Sequence, residues 1–402
     1  MPLLDSKLKS IVNQTLAPMG VSQIRFFAQK FAQIPGIIKL TLGEPDFNVP
    51  EHVKAAAIQS IRENQSHYSD QRGIMELRVA ISDYLQQRFH VSYDAASEIV
   101  VTVGATEAIF AALGSLINPG DKILVATPTF ALYWPVIEIF GGIPVQVDTT
   151  ADGFRLTGKH LQAVLDREGA ANVKALVLNF PGNPTGFEYS RDQLQELADV
   201  IKQNAMYVLT DEIYAELTYG QPHTSMAELL PEQTILINGL SKSHAMTGYR
   251  IGYFVGPKDF VVNASKLHGF AVTSPSNPAQ YAALEALTNG VDDAKDMRQV
   301  YQQRRDYIVP KLNALGYETA LPAGAFYAFA KIPASFGLSS VAFATRLAEE
   351  AKVGVTPGSA FGAGGEGYVR LSYASSMADL QEAMARLTVF TEKMQTELKI
   401  KG

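Results

Sequence analysis

Lys242 lies between two hydroxyl residues, Ser241 and Ser243, and Arg250 follows eight residues later. The run before it, Thr234 to Asn238 (Thr-Ile-Leu-Ile-Asn), reads as a short buried strand. An amine placed just past such a strand is partly desolvated, which lowers its pKa and makes it nucleophilic toward an aldehyde. Arg250, with Ser241 beside the lysine, can hold a phosphate, because the guanidinium fork matches phosphate oxygens in pairs. An aldehyde that carries a phosphate points to pyridoxal 5'-phosphate. A lysine and an arginine taken alone would be ordinary loop residues. Further contacts for the same ligand come from separated stretches of the chain.

The strand-like run 99–103 is followed by Gly104-Ala105-Thr106-Glu107 and then by an apolar helical pattern over 108–116. A glycine turn that opens a helix presents free N–H groups to an anion. Gly104 supplies the turn, Ala105 a main-chain donor and Thr106 a hydroxyl. Asp211 closes the apolar run Tyr207 to Thr210, where a carboxylate is costly unless paired. A protonated pyridine nitrogen would pair it and keep the ring an electron sink; the other reading is a helix cap. Asn183, within Asn179 to Gly186, and Tyr214 can each hydrogen-bond the phenolic oxygen of the ring, although Asn183 alone reads as a turn residue. Gly43 sits in the loop Leu40 to Phe47, where glycine allows backbone to approach a ligand or simply makes a turn.

The run Ser-Lys-Ser-His-Ala-Met-Thr-Gly-Tyr-Arg-Ile-Gly (241–252) resembles the pyridoxal-phosphate lysine motif of the aspartate/aromatic aminotransferase family, class I/II and fold type I. The likeness extends from Leu-Gly-Glu-Pro-Asp-Phe (42–47) to Arg-Leu-Ser (370–372). It implies a pyridoxal-phosphate enzyme that moves an amino group from an L-amino acid to a 2-oxo acid such as 2-oxoglutarate. Lys242, Asp211 and Tyr214 would carry the chemistry. Phe130 would stack on the pyridine ring, and Arg370 would clamp the substrate carboxylate beside Gly43 and Asn183. The resemblance further implies a homodimer with shared sites, in which Tyr68 reaches the phosphate of the partner subunit. Gly-Ala-Thr-Glu-Ala together with Leu-Gly-Glu-Pro-Asp-Phe resembles the branch acting on aromatic amino acids or N-acetyl-diaminopimelate, with aspartate still open. A carbon–sulfur β-lyase on the same scaffold would share every cofactor residue, and a ligand-sensing regulator is the more distant alternative.

These residues need a scaffold that brings them to one place. Short apolar runs at 99–103, 122–126, 145–147, 175–179, 207–210, 234–238 and 251–255 alternate with helical patterns. That alternation predicts an α/β fold with a mostly parallel, doubly wound sheet, whose ligands bind at the carboxyl ends of the strands. A charged helix over 291–320, ending at Gly316, leads to a smaller α+β domain built from 326–330, a helix over 340–351 and 368–372. The expected division is 1–50 as an arm and part of the small domain, 51–290 as the large cofactor domain, and 291–402 as the small domain. Gly362-Ala-Gly-Gly-Glu-Gly367 fits the dinucleotide pattern G-x-G-x-x-G, but a loop precedes it and a strand follows, which argues against a nicotinamide site.

Composition excludes several classes. A net charge of −6 leaves no basic footprint for nucleic acid or an anionic membrane. No apolar run approaches the roughly 20 residues of a membrane-spanning helix, and Met1 to Lys7 lacks the order of a signal peptide. With no cysteine there are no disulfides or thiolate metal sites, and the scattered histidines suggest no metal. These features fit a cytoplasmic enzyme.

Overall fold

The computed structural model describes residues 3–8 and 11–401. Part of the N-terminal stretch read for a leader, including Met1 and Pro2, lies outside the described residues. The centre is a seven-stranded sheet in the order Ile99–Thr102, Gly252–Val255, Thr234–Gly239, Tyr207–Asp211, Val173–Asn179, Lys122–Thr127, Ile143–Asp148. Only Gly252–Val255 runs antiparallel to its neighbours; the other pairings are parallel. The central strands are apolar on both faces, so each face must be covered. Helices Gly104–Leu116 and Lys258–Val272 pack on one side with Ile123, Val177 and Ile235. Helices Gly158–Glu168 and Arg191–Lys202 pack with Leu124, Leu176 and Val208 on the other. The doubly wound arrangement expected from the alternation is present.

A three-stranded antiparallel sheet is built from Thr356–Pro357, Tyr368–Ser372 and Tyr327–Lys331. It shares one buried cluster with Phe27, Phe31 and Leu40 from the start of the chain and with Leu380, Leu387 and Phe390 from the final helix, Met377–Lys401. The two-residue strand Ile38–Lys39 pairs in parallel with Val353–Gly354 and ties the early segment to this layer.

Several boundaries differ from the sequence expectation by a few residues, and three of them have a clear backbone reason. The helix expected over 108–116 begins at Gly104, whose φ of +76° lets the chain turn out of the preceding strand directly into the helix. The strand expected over 251–255 starts at Gly252 because Arg250 sits in the left-handed region, at φ 54°. The charged helix is Ala294–Ala314, stopped by Gly316 at φ +89°. The glycine run 362–367 lies between a short helical turn, Gly358–Phe361, and the strand Tyr368–Ser372, without the helix that a dinucleotide site requires.

Candidate active site

The parallel strands deliver their carboxyl ends along one edge. Asn179 and Asp211 pair in register, Asp211 pairs with Ile237, and Gly239 leads into the helical turn Leu240–Ser243 that carries Lys242. Lys242 is half-buried, and its Nζ donates to the carbonyl of Gly43 at 2.5 Å. Burial lowers its pKa to about 8; Arg370 and Arg250 push the same way, while Glu44 and Asp211 oppose them. A useful fraction of this amine is therefore neutral near pH 8, which a nucleophile requires.

Asp211 is buried, and burial pushes its pKa up to about 6. Its Oδ2 accepts from the Tyr133 hydroxyl at 2.8 Å and its Oδ1 from the backbone N–H of Ile213 at 3.2 Å. The Asn179 side chain donates to the Asp211 carbonyl at 2.9 Å, while Asn179 Oδ1 accepts the N–H of Asn183, also at 2.9 Å. One side chain thus ties the two loops together. Asn183 Oδ1 in turn accepts from Nη1 of Arg370 at 2.8 Å.

Arg370 is 1% exposed. Its Nη2 donates to the carbonyl of Thr41 at 2.6 Å and to the Thr356 hydroxyl at 3.4 Å. Its guanidinium lies 4.5 Å from the ring centre of Tyr327 and 5.0 Å from that of Phe361. Tyr327 also shares a 2.8 Å hydrogen bond with the hydroxyl of Tyr214. A Cβ at Gly43 would collide with the Tyr327 hydroxyl, so glycine is required where this loop passes the site.

At the other end, the guanidinium of Arg250 crosses Gly104, where an added Cβ would stand 2.7 Å from Nη2. Arg250 Nη1 donates to the Thr247 carbonyl at 2.9 Å, and the side chain remains exposed. Gly252 presses on the same turn: a Cβ there would stand 2.6 Å from the Ala105 nitrogen. Ala105 and the exposed Thr106 lie in the first turn of the helix, whose N–H groups have no partner within the helix. Ser241 is buried beside Lys242. Phe130 is half-buried and meets Tyr133 edge-on at 6.1 Å.

Most of the expected residues thus fall into two linked groups, Lys242–Gly43 with Arg370–Asn183–Tyr214 and Arg250–Gly104 with Ala105. Tyr68 stands apart, 88% exposed and, among the described residues, without a hydrogen bond or ring contact. Sequence reasoning missed Tyr133, Tyr327, Thr41 and Thr356. Tyr327 lies in the run 326–330 assigned to the small domain and Tyr133 three residues after Phe130, but nothing in the sequence marks either as a site residue.

The arrangement fits pyridoxal phosphate chemically. Asp211 lacks a compensating cation at the distance of its hydrogen-bonding partners, as its raised pKa reflects, and a protonated ring nitrogen would supply one. The helix start under Arg250 offers main-chain donors and a guanidinium together, the donor set for a phosphate.

Residues 35–387 match the family model for aminotransferase class I and II. The chain is a class I and II aminotransferase. It is 44% identical to the probable N-acetyl-LL-diaminopimelate aminotransferase of Bacillus subtilis, over 97% of this chain and 99% of that protein. It is 36% identical to aromatic-amino-acid aminotransferase 2 of Thermococcus litoralis, over 97% and 99%. The structure of the Thermus thermophilus aspartate aminotransferase with maleate superposes with a TM-score of 0.88, at 35% identity over 94% of this chain and 98% of that one. Membership of the family implies pyridoxal phosphate as cofactor. Among the described residues, no helix of this aminotransferase is long and apolar enough to cross a membrane.

The lowered pKa of Lys242 has a direct consequence in the cofactor-free aminotransferase. Only the neutral amine attacks an aldehyde, so the rate of adduct formation with pyridoxal phosphate should rise with pH through a midpoint near 8, well below that of an ordinary lysine. Glu44 holds that pKa up, so Glu44→Gln should move the midpoint to lower pH. Stopped-flow absorbance against pH measures both. A midpoint in the ordinary lysine range would contradict the desolvated site.

Proposed function

We propose that this aminotransferase moves the amino group of an aromatic L-amino acid or of N-acetyl-diaminopimelate to a 2-oxo acid such as 2-oxoglutarate, with aspartate a further candidate donor. The single observation that supports an α-amino-acid substrate most strongly is Arg370. This guanidinium is buried to 1% exposure, and among the described residues no carboxylate pairs with it. A buried cation without a counter-ion is costly, and a substrate carboxylate removes that cost on binding. The choice among donors draws on the relatives, whose names cover N-acetyl-diaminopimelate, aromatic and aspartate activities.

In this reading pyridoxal phosphate supplies the electron sink for the pair left at Cα when its proton departs. The Lys242 amine would take that proton from Cα as base and return it to the neighbouring carbon as acid. Asp211 keeps the proton at the ring nitrogen, its carboxylate oriented by Tyr133 and Ile213. Asn183 and Tyr214 would hydrogen-bond the phenolic oxygen, and Phe130 would cover a face of the ring. Gly104, Ala105, Thr106, Ser241 and Arg250 take the phosphate. Arg370, steered by Asn183 and Thr41, would hold the α-carboxylate and so orient the substrate's Cα–H bond for removal of its proton.

The exposure of Tyr68, 88% with no partner among the described residues, supports a homodimer in which its hydroxyl completes the phosphate site of the other subunit. The packing of Phe27, Phe31 and Leu40 with the C-terminal core supports the division into 1–50 with 291–402 around a large domain of 51–290.

Arg370→Lys keeps the charge but loses the fork. The loss of one of two parallel charged bonds in a shielded site should lower kcat/KM on an α-amino acid roughly 30- to 1,000-fold. The corresponding decarboxylated amine should react equally poorly with both proteins, whereas an equal loss on both substrates would assign the damage to structure. A panel of aromatic, N-acetyl-diaminopimelate and aspartate donors with 2-oxoglutarate ranks the substrates, and a preference for aspartate would overturn the proposed order.

Mixed Tyr68→Phe and Lys242→Ala subunits test the shared site. Hybrids should contain one undamaged site each and recover activity above either parent. Hybrids no better than the parents would remove Tyr68 from the partner's site.

A further inference from the structure

We infer that Tyr133 is the positioning residue for the cofactor ring, fixing it in its plane through Asp211 and against its face through Phe130. The inference rests on the proposed pyridoxal-phosphate reading of Asp211. Tyr133 opens the helix Tyr133–Ile139 and is fully buried, and its hydroxyl donates to Asp211 Oδ2 at 2.8 Å. The direction of that bond is settled by chemistry. Burial and the neighbouring carboxylate hold the phenol far above its ordinary pKa, so it keeps its proton, and an ionised Asp211 can only accept.

The bond has two effects on Asp211. It favours the ionised carboxylate that a ring nitrogen needs, against the burial that favours the neutral acid. It also prevents rotation. With Oδ2 engaged by Tyr133 and Oδ1 by the Ile213 N–H, the carboxylate plane is set before any ligand arrives. A carboxylate oxygen carries more than one acceptor site, so each keeps capacity for a proton from the ring. Meanwhile the Tyr133 ring meets Phe130 edge-on at 6.1 Å, three residues away in sequence. The edge of an aromatic ring is its positive rim, which favours a perpendicular approach and restrains Phe130. One buried side chain therefore constrains both groups that would meet the ring, the in-plane charge and the stacking face. Nothing else among the described residues hydrogen-bonds the side-chain oxygens of Asp211.

Tyr133→Phe removes the hydroxyl while keeping the ring against Phe130; Tyr133→Leu removes both. Equilibrium binding to the cofactor-free protein is read by quenching of its fluorescence, with two probes: pyridoxal phosphate, and the analogue whose ring nitrogen is replaced by a C–H group. Tyr133→Phe should weaken pyridoxal phosphate roughly tenfold and leave the analogue unchanged, because the hydroxyl acts only through Asp211 on the ring nitrogen. Tyr133→Leu should weaken both probes, through the face. In an Asp211→Asn background, Tyr133→Phe should have little further effect on pyridoxal phosphate. Equal loss of both probes in Tyr133→Phe, or no loss of either, overturns the inference. Persistence of the full Tyr133→Phe effect in Asp211→Asn overturns it as well. Failure of the wild-type protein to bind either probe would instead overturn the cofactor reading beneath it.

Discussion

The amine of Lys242 is held where an ammonium is poorly solvated, and much of the surrounding architecture serves that condition. A lysine at the surface would stay protonated and would not attack an aldehyde near neutral pH. Among the described residues Nζ has a single acceptor, the Gly43 carbonyl, and two guanidinium groups lie near enough to disfavour its charge. Gly43 can approach because it has no side chain to meet the Tyr327 hydroxyl. Tyr327 in turn lies under Arg370 and holds Tyr214. Lys242, Arg370 and Tyr214 are thus coupled through Tyr327 and Gly43, contributed by the small antiparallel sheet and an early loop.

The large sheet supplies the complementary half. Parallel strands end together, so Asn179, Asp211 and Gly239 reach one edge without any loop needing a special length. The reversal at Gly252–Val255 returns the chain beside Ile99–Thr102 and places Arg250 over the helix that starts at Gly104. Arg250 and Lys242 thereby lie at the ends of adjoining strands, Arg250 just before Gly252–Val255 and Lys242 just after Thr234–Gly239. Such an edge is rigid because its strands are buried on both faces, whereas Arg370 belongs to the other layer.

Much of this was legible in the sequence. The strand runs were short and apolar, Asp211 and Gly104 directly followed one and Lys242 came four residues after another, so topology placed them without side-chain detail. Tyr133 and Tyr327 were not legible, because their roles depend on partners 78 and 113 residues away. Neither spacing nor composition reports a contact of that range. Arg370 was ambiguous for a related reason: a charge inside an apolar strand pattern reads as an edge residue until Thr41, Asn183 and Thr356 are seen to enclose it. The start of the helix at Gly104 rather than Ala108 also escaped, since only the positive φ reveals that the turn and the helix are continuous.

The central claim, that Lys242 is the amine that holds the cofactor, has a direct chemical readout. Pyridoxal phosphate bound to the protein is reduced with borohydride, which converts a Schiff base into a stable secondary amine, and the digested chain is mapped by mass spectrometry. The account predicts one phosphopyridoxyl group per chain, on the peptide containing Lys242. A label on a different lysine, or spread over several with Lys242 unmodified, would contradict it.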